Sequence, residues 1–250
     1  MTGSLVFPVI LYFLLSMSIT GILQMIIPAF SDASAAMWLL TLVNALQIPV
    51  FRLMYRRERG EKLPWKKKWN TRLFLLVVLT SFFFSRGVNG FLGLTPLPRL
   101  FPGYETAAGE IYSCSLVSQV MASVITAPIL EELLMRGILY RRLRRFLPDK
   151  RYAFIAGAFL FAMFHGNVVQ GIYAFFTGLF FIWVYEVSDS LVPAVAAHMT
   201  ANASSIFLER TGIFDGLYDS LPIYFLTTAV CLLLSAFFWK KIRMKSWKKR

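Results

Sequence analysis

Apolar residues dominate this chain in runs close to twenty long, broken by short polar or basic segments. Eight runs stand out, at about 5–30, 34–54, 73–94, 107–130, 152–165, 168–186, 190–208 and 221–239. A bilayer core needs about 20 apolar residues in helical form. Backbone in lipid must satisfy its own hydrogen bonds, so each run is expected to be a helix. The pattern predicts an all-α, polytopic transmembrane helical bundle of about eight spans, organised as a single integral-membrane domain over residues 1–250. The fifth run is the shortest, which calls for tilt or extension by its neighbours. The first is longer than a signal-peptide apolar region and has no basic segment before it, so it is expected to be a retained span.

Composition agrees: 57% of residues are hydrophobic and 16% charged, whereas a soluble domain carries about 25% charged residues. The formal charge of +13 is unevenly placed. Of 26 Lys and Arg, 23 fall in three regions: Arg52 to Arg72, Arg136 to Arg151, and Lys240 to Arg250. Eight spans with both termini in the cytoplasm put all three regions on the cytoplasmic side, as the positive-inside rule requires. Such loops attract anionic headgroups, and this distribution argues against a nucleic-acid partner. The segment "RGILYRRLRRFLPDK" interleaves arginines with Ile138, Leu139, Leu143 and Phe146, the pattern of a basic amphipathic stretch lying at the interface. The cysteines, Cys114 and Cys231, form no CxxC pair and read as small apolar residues within spans.

Ionisable groups inside spans are costly and should have partners. In "TAPILEELLMRG", Glu131 and Glu132 are adjacent, about 100° apart on a helix. Glu132 precedes Arg136 by four, the favourable order for an ion pair. Glu131 has only Met135 and Ala127 at that spacing. Pro128 lies three residues earlier and is positioned to loosen the helix. By themselves the two glutamates also fit a simple membrane–water boundary. The chain's two histidines, His165 and His198, both lie in apolar runs. Phe161 and His165 are four apart, as are His198 and Asn202. A carboxylate with an imidazole can orient and deprotonate water. His198 and Asn202 can donate hydrogen bonds to an oxyanion. One Glu with two His can also hold zinc with an open position for water. Glu110 and Arg86 are further charges assigned to the fourth and third spans, with a structural or cavity role.

The three elements, "EELLMR" (131–136), "FAMFH" (161–165) and "HMTAN" (198–202), resemble the EExxxR, FxxxH and HxxxN pattern of the CPBP family, which includes CAAX prenyl endopeptidases and bacteriocin-processing or immunity-associated proteins. The resemblance covers about 131–202. It implies an intramembrane endopeptidase acting on a membrane-associated protein or peptide in a prokaryotic cell membrane. Glu131 and His165 would activate water, and His198 and Asn202 would stabilise the oxyanion. Glu132 would assist proton handling, and Arg136 and Phe161 would support the site. Zinc-dependent chemistry, with Glu131, His165 and His198 as ligands, stays open beside glutamate-dependent chemistry that requires no cofactor. A non-catalytic immunity or transport protein using the same groups is the alternative.

Overall fold

The computed structural model describes residues 4–26, 33–60, 71–101, 103–212 and 220–247. Among these residues every regular element is helical. The helices are α1 (Val6–Ile26), α2 (Ala33–Arg59), α3 (Thr71–Gly93), the short α4 (Leu97–Leu100), α5 (Gly103–Ser113), α6 (Leu116–Phe146), α7 (Lys150–Met163), α8 (Val168–Ser188), α9 (Leu191–Thr211) and α10 (Leu221–Trp247). Seven of them, α1–α3, α6 and α8–α10, are long and apolar enough to cross a membrane. The remaining expected span is α7. Its 14 residues rise about 21 Å, short of the roughly 30 Å hydrocarbon core.

Local polar groups set where the helices start. The Ser115 side chain accepts from the Ser118 N–H and begins α6. The Asp149, Asn167 and Ser190 side chains do the same for α7, α8 and α9. Each satisfies an N–H that the first turn leaves without a helical acceptor. Asp189, with φ 50°, and Gly212, with φ 58°, end α8 and α9 in the left-handed conformation.

Two sequence expectations shift here. The fourth span does not run over 107–130. The Ser115 cap separates it from α5, and it continues to Phe146. Glu110 is therefore an exposed residue of α5 rather than a charge inside that span. The basic stretch after Arg136 is also not a separate helix lying on the interface. Its first half continues α6, with Ile138, Leu139 and Leu143 buried. Its arginines grip neighbouring helix ends. Arg142 bonds Glu58 on α2 at 2.5 Å, and Arg145 bonds the other oxygen of the same carboxylate. Arg144 pairs with Glu186 on α8 at 2.6 Å, and Arg141 donates to the Tyr185 hydroxyl at 3.0 Å. The cations draw three helix ends together.

The core lies where α6 meets α2, α7, α8 and α9. Leu134, Ile138, Ala153, Ala158, Phe180, Ala194 and Ala197 are fully buried in it. Lipid tails are as apolar as leucine, so close backbone approach through small residues, rather than hydrophobicity, drives such packing. The same device joins α3 to α10. Gly87, Gly90 and Gly93 recur at every third position, and a methyl group at them would collide with Leu232, Thr228 and Tyr224 respectively. Cys114 and Cys231 are free thiols, and Cys114 is buried.

Candidate active site

The site is built on the middle of α6, which is not a uniform helix. Residues Val120–Thr126 and Leu133–Tyr140 form π-helical turns around a single α-helical segment, Ala127–Glu132. Such turns recur at functional sites because the wider register re-aims side chains. Glu131 falls fifteen residues from either end of α6. His165 lies fifteen residues beyond Lys150, the first residue of α7. His165 thus lies just past Met163, the last residue of α7, in the turn before α8, while Glu131 sits at the middle of α6.

Glu132 and Arg136 are fully buried. They form the ion pair that their spacing predicts, Arg136 Nη1 donating to Glu132 Oε1 at 2.7 Å. The same oxygen lies 3.0 Å from His198 Nδ1. Arg136 is held further by three residues of α7 and α8. Its Nη2 donates to the Gly178 carbonyl on α8 at 3.1 Å. Its guanidinium lies 4.4 Å from the centroid of the Phe161 ring and 5.4 Å from that of Phe181, where the ring quadrupole favours a cation. A buried pair of this kind persists because removing either partner would strand the other charge out of water.

Phe161, 1% exposed, stands edge-on between the two imidazoles. Its ring centroid is 4.9 Å from His165 and 5.5 Å from His198. Phe181 stacks on the other side of His198 at 4.9 Å, the planes 22° apart. His198 is therefore fixed by two rings and one carboxylate. With Glu132 ionised, His198 Nδ1–H is the donor, which directs Nε2 towards Glu131 Oε2, 3.8 Å away. A carboxylate that orients an imidazole through Nδ1 fixes the tautomer and the role of Nε2. His165 is set similarly. Its Nδ1 lies 3.0 Å from the Phe161 carbonyl, and it is within electrostatic reach of Glu131, His198 and Arg136.

Glu131 differs from the rest. Its side chain is 26% exposed, and it accepts no hydrogen bond among the described residues. Tyr12 on α1, packed against Phe164 at 5.5 Å, is close enough to feel its charge. Asn202 is one helical turn past His198, but it faces a different part of α6: its Nδ2 donates to the Ser123 carbonyl at 2.7 Å. Arg86, the other expected cavity charge, donates to Ser205 on α9 at 2.5 Å, three residues beyond Asn202.

The structure therefore brings Glu131, Glu132, Arg136, Phe161, His165 and His198 together and seats Asn202 beside them. No three His, Cys, Asp or Glu side chains among the described residues come close enough to hold a metal ion. Two supporting residues, Gly178 and Phe181, were not among the sequence candidates. A methyl group at Gly178 would sit 3.1 Å from Phe161 and 3.5 Å from Arg136 Nη2, so this position must stay small. Nothing in an apolar span distinguishes that glycine from others until its neighbours are known.

Fold and site together define a polytopic all-α membrane protein with one buried carboxylate–imidazole centre. Residues 113–204 match the family of type II CAAX prenyl endopeptidases described as Rce1-like. That segment contains all three motifs, so over these residues the chain is similar to a family of membrane peptidases. Comparison with curated proteins and with solved structures gives no match.

Proposed function

We propose that this protein is an intramembrane endopeptidase that hydrolyses a peptide bond of a membrane-associated protein or peptide, with Glu131 as the water-activating base. The observation that carries this reading is the contrast between neighbouring carboxylates. Glu132 is fully buried and bonded to Arg136 and His198, whereas Glu131 is partly exposed with no hydrogen-bond partner among the described residues.

Glu131 takes a proton from the attacking water, and the water oxygen adds to the scissile carbonyl carbon. His165, whose Nε2 is left open by the bond at Nδ1, lies beside Glu131 and serves the same water. The carbonyl oxygen becomes an oxyanion, stabilised by hydrogen bonds from His198 and from the amide hydrogen of Asn202 that Ser123 does not use. Donors fixed before the reaction need no reorganisation as this charge develops. The proton held by Glu131 then passes to the leaving nitrogen as the C–N bond breaks, giving a carboxylate and an amine. Glu132 and Arg136 hold His198 and Phe161 in place. No step is routed through a metal, since the acidic and imidazole groups do not converge on one point.

The basic ends of α2 and α6 share one end of the bundle through their ion pairs with Glu58 and Glu186. The end of α10 joins them, with Trp239 against Trp183 at 4.8 Å. This supports a cytoplasmic orientation for that end and for both termini; a prokaryotic cell membrane is the setting proposed from the family resemblance alone.

The test is cleavage by the purified full chain in liposomes of internally quenched peptides, with and without a prenylated C-terminal cysteine. His165→Ala is expected to lower the rate by about 10²-fold or more, the usual contribution of a positioned acid–base group. If wild type cleaves none of the probes, and peptidomics of membranes with and without it shows no differential product, the non-catalytic immunity or transport reading replaces this one.

A further inference from the structure

Pro128 sits in the helix that presents both glutamates, and it lacks an N–H. In the π turn before it, bonds run from each N–H to the carbonyl five residues back. The Ala127 N–H donates to the Ala122 carbonyl. The Thr126 hydroxyl closes the same turn, donating to the Met121 carbonyl at 3.0 Å and the Ala122 carbonyl at 3.3 Å. The next carbonyl in this ladder belongs to Ser123, and its partner would be the N–H of residue 128. A proline there leaves that carbonyl without its helical donor, within the span, where an unbonded backbone group is costly. The donor that reaches it is Asn202 Nδ2, at 2.7 Å from α9.

We infer that Asn202 is a positioning residue that supplies the hydrogen bond Pro128 cannot make, and that this bond fixes the π register aiming Glu131 and Glu132. The geometry has two parts. The bond joins α9 to α6 one turn along from His198, so α9 grips α6 both before and after the proline. The Ala127–Glu132 segment lies between the two grips, with Ser123 on one side and the Glu132–His198 contact on the other. A π turn that closed to the α register would rotate every later side chain by about 100°, one residue's worth of helix. That would carry one carboxylate into the place of the other and swing the second out of the site, because they differ by the same angle. The amide has two hydrogens: one holds the helix, and the second is the one that the proposed mechanism assigns to the oxyanion.

This inference rests on the proposed peptidase reading, and the experiment separates the two. The variants are Asn202→Leu, Pro128→Ala and their combination, in the full chain in liposomes. The readouts are cleavage of the quenched peptides and the thermal midpoint. Asn202→Leu is expected to lower kcat by about 10²-fold, with KM changed less than threefold. Pro128→Ala returns an N–H to Ser123, so adding it to Asn202→Leu is expected to recover at least tenfold in kcat. The double variant is also expected to melt above Asn202→Leu alone. An oxyanion donor acting only on substrate cannot be rescued from position 128, so a double variant no faster than Asn202→Leu overturns the inference. Asn202→Ala replaces Asn202→Leu in the same cycle should leucine prevent folding. If wild type cleaves nothing, the peptidase reading falls. The thermal midpoints then still decide the tether: rescue supports it, and additive losses overturn it.

Discussion

Helices α1 and α6 are both long apolar spans, yet they are built in opposite ways. Over its most apolar window α1 has a mean hydropathy of 2.2 and only 6% of its residues buried. For α6 the values are 1.3 and 44%, and it carries two π turns, Pro128, two glutamates and five arginines. Helix α10 resembles α1, at 2.1 and 11%. The two most apolar helices, α1 and α10, are the two that face outward over most of their length. In water this order would be reversed. In a bilayer apolar side chains are already at home, and burial is earned by polar groups and small residues. The interior of this protein is therefore its polar part, and the site lies there because its charges must avoid lipid.

Breaking the polar interior is expected to have the largest effect. Arg136→Leu strands the Glu132 carboxylate out of water and should cost about 3–5 kcal/mol, read as a large fall in the thermal midpoint in detergent. Disturbing small-residue packing should cost less. Gly90→Leu forces a side chain into Thr228 and should cost about 1–3 kcal/mol. Crosslinking between cysteines introduced on α3 and α10 would report the same separation. Smallest of all should be changes on α1. Ile22→Ala, at an exposed position, should fall within about 0.5 kcal/mol. A loss there as large as that of Arg136→Leu would remove the contrast between the two helices.

Much of this order was readable in the sequence because membrane physics writes it in coarse letters. Apolar runs located the helices, and the three basic clusters located one end of the bundle. Ionisable residues inside spans singled out Glu131, Glu132, His165 and His198. The start of α6 was not readable, because the apolar run continues through Ser115 and hides the cap. The largely apolar "ELLMRGILY" carries α6 on to about Tyr140, but its last turns, to Phe146, were not readable, because arginines 141, 142, 144 and 145 suggest water or headgroups when their partners, Glu58, Tyr185 and Glu186, are distant in sequence. The π turns leave no mark on hydropathy, since they change which carbonyl an N–H meets rather than which residues are apolar. For Asn202, the turn from His198 was visible in the spacing. Its bond to the Ser123 carbonyl was not, because that partner is a backbone atom made available by a proline on another helix.

The central claim is that two adjacent glutamates do different work: Glu132 holds the site, and Glu131 performs the chemistry. The most direct measurement compares peptide cleavage and thermal midpoint for wild type, Glu131→Gln and Glu132→Gln in the same liposomes. Glu131→Gln should lose about 10²–10⁴-fold in rate, as expected for a general base, with its midpoint within about 2 °C of wild type, the shift expected for a change well under 1 kcal/mol. Glu132→Gln should lose both activity and stability. Wild-type cleavage by Glu131→Gln, or a collapse of its midpoint, would contradict the account.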